Sequence, residues 1–240
     1  MYQIFKKELN SFLNSLIGYI VIGVFLTATG LFTWFFKDNL LDFGYADMSL
    51  FFQIAPYIFL FLIPAITMRA FSEEVKSGTI ELLFTKPLSK WQIVLGKYLA
   101  SCSLVLLSLL PTLLYYYSVY QLGNPQGNID SAAVFSSYLG LFFLGCVFAA
   151  IGVLMSSFTD NQVTAFVLSF VCCLLLFYGI GQIAQLSFLG DFSYLLSQLG
   201  LDYQYNALGK GLIDSRNIIY FLTVIFVALW ITKLKISSLR

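Results

Sequence analysis

Six stretches of this chain are apolar and free of Asp, Glu, Lys and Arg: about Leu16–Phe36, Met48–Met68, Tyr98–Tyr120, Ala132–Phe158, Gln162–Gln182 and Ile218–Thr232. A helix crosses the hydrocarbon core of a bilayer with about 20 apolar residues. The last stretch is shorter and ends at Lys233. In lipid every backbone N–H and C=O must be satisfied internally, so spans of this kind fold as helices. The expected fold is all-α, a polytopic membrane protein with six transmembrane helices in the lipid bilayer. Composition agrees. Only 10% of the residues are charged, against about 25% in a soluble domain. The mean hydropathy is +0.85. At 240 residues the chain has room for one membrane domain and no large second one.

Lys and Arg set the expected orientation. With the N-terminus inside, ten of the thirteen basic residues fall on cytoplasmic pieces, and only Lys37, Lys210 and Arg216 lie outside. Both termini are then cytoplasmic, and the dense charged run Arg69–Lys97 is the main cytoplasmic loop. The net charge of +1 gives no indication of a nucleic-acid partner.

The first residues do not read as a cleaved signal peptide, because uncharged sequence runs from Leu9 to Phe36, too long for an h-region. Tyr2, Phe5, Leu9, Phe12, Leu13 and Leu16 recur at helical spacing, with Gln3, Lys6, Lys7, Asn10 and Asn14 on the other side. Such a helix lies along the membrane surface and then turns into the first span. The alternative is one long tilted helix, which would carry its polar face into lipid at a cost.

Ion-coupled transporters keep ionisable groups at membrane depth, and the six stretches as drawn hold none. The chain also lacks a G-x-x-x-x-G-K-[ST] phosphate loop. No catalytic site is expected: there is no His, and no nucleophile sits beside a base. Cys102, Cys146, Cys172 and Cys173 all fall in apolar runs without a C-x-x-C pair, which suits small core residues better than disulfides or metal ligands. No cofactor is implied. Active movement of a cargo would need work from another subunit.

The charged loop has the marks of ordered structure. Ser72 is placed to cap a short helix, with Glu73 and Glu74 in the first turn where they complement the helix dipole. Gly78 is a break. Thr79, Ile80, Glu81, Leu82, Leu83 and Phe84 form a second short helical piece, which Pro87 stops. Ser89 and Gln92 read as a capping box that opens the third span, with Trp91 as an interfacial anchor. A rigid protrusion with acidic and apolar faces suits the docking of a soluble subunit. The plainer reading is a connector whose charges only mark the cytoplasmic side.

The run Ile63-Pro64-Ala65-Ile66-Thr67-Met68-Arg69 is followed by Glu73-Glu74, Gly78-Thr79-Ile80-Glu81-Leu82-Leu83, Thr85, Pro87 and Gly96-Lys97. With Gly211-Leu212-Ile213-Asp214-Ser215-Arg216 before the last span, these residues resemble the ABC-2 type permease family. Within it, they resemble the permease subunit of the gliding-motility-associated ABC transporter. The resemblance covers essentially residues 1–240 as a single transmembrane domain. It implies a permease subunit of an ATP-driven exporter in the bacterial inner membrane, without its own ATPase site. A coupling helix would lie between the second and third spans, with Glu73, Glu74, Gly78, Thr79, Glu81, Leu82, Leu83 and Pro87 as the residues that meet a separate ATPase subunit. A smaller contact would come from Ser156–Gln162. Short re-entrant helices would fill the outer segment Ala184–Asp214. Two permease chains, copies or relatives, would pair above two ATPases, and a larger accessory membrane subunit would accompany the gliding type. The alternative function is a non-transporting membrane scaffold or anchor of a motility or envelope complex.

Other polar residues suggest packing more than a conduit. Thr27, Thr29, Thr33 and Gly30 suit close helix contact in the first span. Tyr115, Tyr116 and Tyr117 read as an aromatic belt. Gly140, Gly145 and Gly152 suggest a tight seam such as a dimer interface.

Overall fold

The computed structural model describes residues 1–37, 39–42, 44, 46–81, 88–185, 192–211 and 214–238. Among these every regular element is helical and no strand occurs. The first two helices are α1 (Tyr2–Leu13) and α2 (Leu16–Trp34). They are followed by α3 (Ser49–Thr67) and the single-turn α4 (Ser72–Lys76). The third span is α5 (Lys90–Leu109), a 3-10 turn at Leu110–Thr112, and α6 (Leu113–Leu122). Pro111 explains the change of helix type, because its ring removes a donor and crowds the preceding turn. Then come α7 (Ser131–Ser156) and α8 (Gln162–Leu174), which runs through a π turn at Leu175–Gly179 into α9 (Ile180–Ala184). Two short helices, α10 (Phe192–Gln198) and α11 (Leu201–Leu208), precede α12 (Ser215–Ser238). Five helical stretches are long and apolar enough to cross a bilayer, and the bent pair α1–α2 supplies a sixth. The chain is a multi-pass membrane protein.

α1 is a separate helix, not the start of one long span: Tyr2–Leu13 and Gly18–Trp34 diverge by 64°. Its surface divides in three. Ile4 and Phe12 are buried with Glu8 between them; Tyr2, Phe5, Leu9 and Leu13 form an apolar side; Gln3, Lys6, Lys7 and Asn10 are exposed. The sequence pattern distinguishes only an apolar from a polar side. It misses the stripe Ile4–Glu8–Phe12, which faces α5.

α7 is the central post. Its faces meet α3, α5, α8, α11 and α12. Glycine permits the closest of these approaches. A Cβ on Gly152 would lie 1.9 Å from Thr67 Oγ1 of α3, so any larger side chain forces the two spans apart. Gly145 faces Val105 and Phe59, and Gly140 faces Leu208 and Tyr205. The glycine seam therefore joins helices of one chain, which corrects the expectation of a dimer interface there. Tyr115 corrects the belt reading in the same way. Its hydroxyl donates to Leu26 O of α2 at 3.0 Å and its ring packs edge-on against Phe51 and Trp34. In α2, Thr29 and Thr33 are fully buried and donate back to Phe25 O and Thr29 O, so they serve packing.

Candidate functional site: the charged elbow

The chain turns sharply between α3 and α4. Ser72 does not cap α4 as its sequence position suggests. The capping position is Phe71, and the Ser72 hydroxyl donates back to Met68 O. The cap comes from another span. Ser156, the last residue of α7, accepts from the backbone N–H groups of Phe71 at 2.9 Å and Ser72 at 3.1 Å. The Ser156 hydroxyl donates in turn to Met68 O at 2.9 Å. Ser156 is fully buried, and so are Phe71 and Ser72. One hydroxyl thus satisfies two otherwise orphaned donors and fixes the start of α4 to the central helix.

A second tie comes from α5. The capping box is present: Gln92 N–H donates to Ser89 Oγ and Ser89 N–H donates to Gln92 Oε1. With the helix started at Lys90, the buried stripe runs Ile93, Val94, Lys97, Ser101, Leu104, Val105. Lys97 therefore points inward and is 3% exposed. Its Nζ lies 2.9 Å from Glu74 Oε1 on α4 and 3.0 Å from Glu8 Oε1 on α1. The ammonium also sits 5.2 Å from the centre of the Phe71 ring. Lys7 Nζ stands 3.8 Å from both carboxylate oxygens. Glu74 Oε2 is buried without a hydrogen-bond partner among the described residues. Arg69 adds a weaker link, its guanidinium 6.0 Å from the Phe12 ring. Three helices, α1, α4 and α5, thus share one buried cation.

Lys97 lies one residue before the third apolar stretch, which starts at Tyr98. Extending the helix back to the capping box, and reading its apolar stripe at 3.6-residue spacing, would have put Lys97 on the buried face.

The expected contact residues separate into two groups. Glu73, Gly78, Thr79 and Glu81 are exposed. Glu74 turns inward to Lys97. Gly78 has φ +68°, a backbone conformation that suits glycine, and it redirects the chain after α4. Thr79 Oγ1 pairs with Ser77 Oγ at 2.8 Å. A new helical turn starts at Ile80–Glu81, with Ile80 buried as its anchor. Leu82, Leu83 and Pro87 lie outside the described residues. In the turn after α7, Phe158 is exposed and Asn161 caps α8 by accepting from Val163 N–H at 2.9 Å.

At the opposite end, α10 and α11 border a cavity of about 670 Å³ whose lining includes Tyr194, Ser197, Asp202, Tyr203, Asn206 and Lys210 beside Ala184 and Ala207. Burial pushes the Asp202 carboxyl above its ordinary pKa, and the hydrogen bond from Asn206 partly offsets this. Tyr205 anchors α11 by donating to Phe52 O of α3 at 2.6 Å.

The family model for the ABC-2 family transporter protein matches residues 2–205. The match includes the elbow, both of its ties and every span except α12. No curated protein sequence matches the chain.

Proposed function

Because the chain belongs to the ABC-2 transporter family, we propose that it is the membrane-spanning permease subunit of an ATP-driven exporter, driven by a separate ATPase subunit that docks on residues 72–87. The observation that carries this reading is the double attachment of α4. Its backbone is capped by Ser156 of α7, and its Glu74 is paired with Lys97 of α5. A push on the exposed side of α4 reaches two spans without passing through a flexible joint. Rigid elements held by buried polar contacts move together or switch as a unit.

The two groups of residues then have different roles. Glu73, Thr79 and Glu81 make the docking surface. Leu82, Leu83 and Pro87 are assigned to the same contact from the sequence resemblance. Glu74 passes the load inward to Lys97, and Gly78 sets the angle of the surface.

The finer assignments rest on the resemblance and the charge distribution. The loop end faces the cytoplasm of a bacterial inner membrane, since ten of thirteen basic residues lie on that side. The permease pairs with a copy or a relative. The motif at residues 63–97 supports the family, and the gliding-motility type with a larger accessory membrane subunit is proposed from the sequence resemblance alone.

The test is co-purification and ATP turnover with a candidate ATPase subunit co-expressed with this chain. Glu73→Lys with Glu81→Lys is expected to lower co-purification at least fivefold. Glu74→Gln is expected to keep co-purification and lose most of the permease-dependent ATP turnover. Undiminished binding in the first variant and undiminished turnover in the second would leave a scaffold as the better reading.

A further inference from the structure

The side of the bundle formed by α5, α7 and α12 carries an apolar groove of about 760 Å³. This lies in the range of about 300–1,000 Å³ typical of ligand sites. Its floor is buried: Tyr98 and Cys102 from α5, Cys146 from α7, Ile225 and Leu229 from α12. Its rims, Leu99 on one side and Leu222 and Phe226 on the other, are exposed. The lining on α7, at Phe142, Phe143 and Cys146, lies between the linings of α5 and α12, and those two helices meet through Trp91 with Phe226 and Trp230.

Length and charge identify the occupant. The lining on α5 runs from Trp91 to Cys102. Eleven helical steps at about 1.5 Å per residue give about 16 Å. The hydrocarbon core is about 30 Å thick, so the groove is one leaflet deep. Its loop end lies at Trp91, next to the capping box where α5 begins. At that mouth stand Trp91 and Trp230, 5.9 Å apart and edge to face. The Lys233 ammonium lies 5.2 Å from the first ring and 5.1 Å from the second. An apolar slot of one leaflet's depth, with amphipathic aromatics and a cation at its mouth, matches an anionic phospholipid: one acyl chain inside, phosphate at Lys233. A second copy of this chain fits less well, since a helix lying along the slot would bring its own apolar surface against Lys233.

We propose that this groove is a binding site for an anionic phospholipid of the leaflet on the loop side. The proposal depends on the membrane fold and not on the ATPase reading. Lipid in the groove touches the linings of both α5 and α12, and α5 carries Lys97. Its occupancy therefore bears on how firmly the elbow is held.

The experiment uses the tryptophans already in place. The chain has three, and two of them, Trp91 and Trp230, stand at the groove. The full chain carrying Trp34→Phe is reconstituted in phosphatidylcholine vesicles. Fluorescence quenching is then measured with phosphatidylglycerol or phosphatidylcholine brominated in the acyl chains. Half-maximal quenching is expected at a mole fraction at least fivefold lower for the brominated phosphatidylglycerol. Lys233→Gln is expected to abolish the preference, and Lys233→Arg to keep it. Equal quenching by both lipids at all mole fractions in the Trp34→Phe protein would overturn the proposal. So would a preference that survives Lys233→Gln unchanged. Quenching that falls as protein density in the vesicle rises, with crosslinking between Leu222→Cys chains, would also overturn it, since a second copy would then fill the groove.

Discussion

Replacing Lys97 by Met keeps an unbranched chain of similar length and removes the cation. Glu8 and Glu74 are then left facing each other. Their Oε1 atoms lie 3.0 and 2.9 Å from one nitrogen, so they are within about 6 Å of each other. The two carboxylates are only 16% and 13% exposed, so water screens them poorly. Lys7 remains, but it stands 3.8 Å away on a side chain that is 66% exposed. At an effective dielectric of about 20, each lost attraction at 3 Å is about 5 kcal/mol and the exposed repulsion about 3 kcal/mol, before desolvation. Lysine burial itself is costly and offsets part of this. Removing one partner of a buried pair in practice destabilises by about 3–5 kcal/mol. For a chain of this size about 1 kcal/mol moves the melting temperature by 2–4 °C, so the expected drop is about 6–20 °C in detergent, followed by intrinsic tryptophan fluorescence. The triple variant Lys97→Met, Glu8→Gln, Glu74→Gln removes the stranded charges and is expected to recover most of the loss. A drop below about 3 °C for the single variant, or a triple variant no more stable than the single, would refute the reasoning.

Ser156→Ala leaves the Phe71 and Ser72 N–H groups without their acceptor; it is expected to cost about 1–3 kcal/mol and to speed tryptic cleavage at Lys76 while the bundle stays folded. Gly152→Ala sets a methyl against Thr67 and is expected to destabilise by about 1–3 kcal/mol, with Thr67→Ala added in the same chain restoring part of the melting temperature. Asp202→Asn tests the cavity beside α10 and α11. Burial raises the Asp202 pKa in the folded state, so the folded chain prefers the protonated form. The cost of ionisation is absent below the unfolded pKa near 3.8 and is complete once the pH exceeds the folded value. The Asn variant, which keeps the acceptor for Asn206, is expected to be more stable than the parent near pH 7 and to lose that advantage on acidification.

The spans were legible because lipid leaves so few options: long uncharged runs become helices, and most ends agree within two or three residues, while α5 starts eight residues before Tyr98 and α12 ends six after Thr232 because their charged and polar ends continue the helix. The Ser89–Gln92 capping box, the break at Gly78 and the separation of α1 were legible for a related reason, since each is decided by residues close in sequence. What was not legible is contact between distant residues. Ser156 lies 84 positions from Ser72, and nothing near either residue announces the bond. Local chemistry pointed to Ser72 as its own cap, and tertiary structure supplied a different one. Glu74 was grouped with Glu73 because they are neighbours in the chain; one helical step of about 100° sends one outward and the other to Lys97. The glycines of α7 signalled close packing correctly, but a glycine records only that something approaches, not whether it belongs to the same chain.

The central claim is that force applied to α4 reaches the spans through Glu74 and Lys97. Reversing each charge alone, Glu74→Lys or Lys97→Glu, and then both together, tests it in a complex reconstituted with the proposed ATPase subunit. Each single reversal is expected to abolish permease-dependent ATP turnover while docking persists, and the double reversal to restore at least half of it. Full turnover in the singles, or a double variant as inactive as they are, would contradict the account.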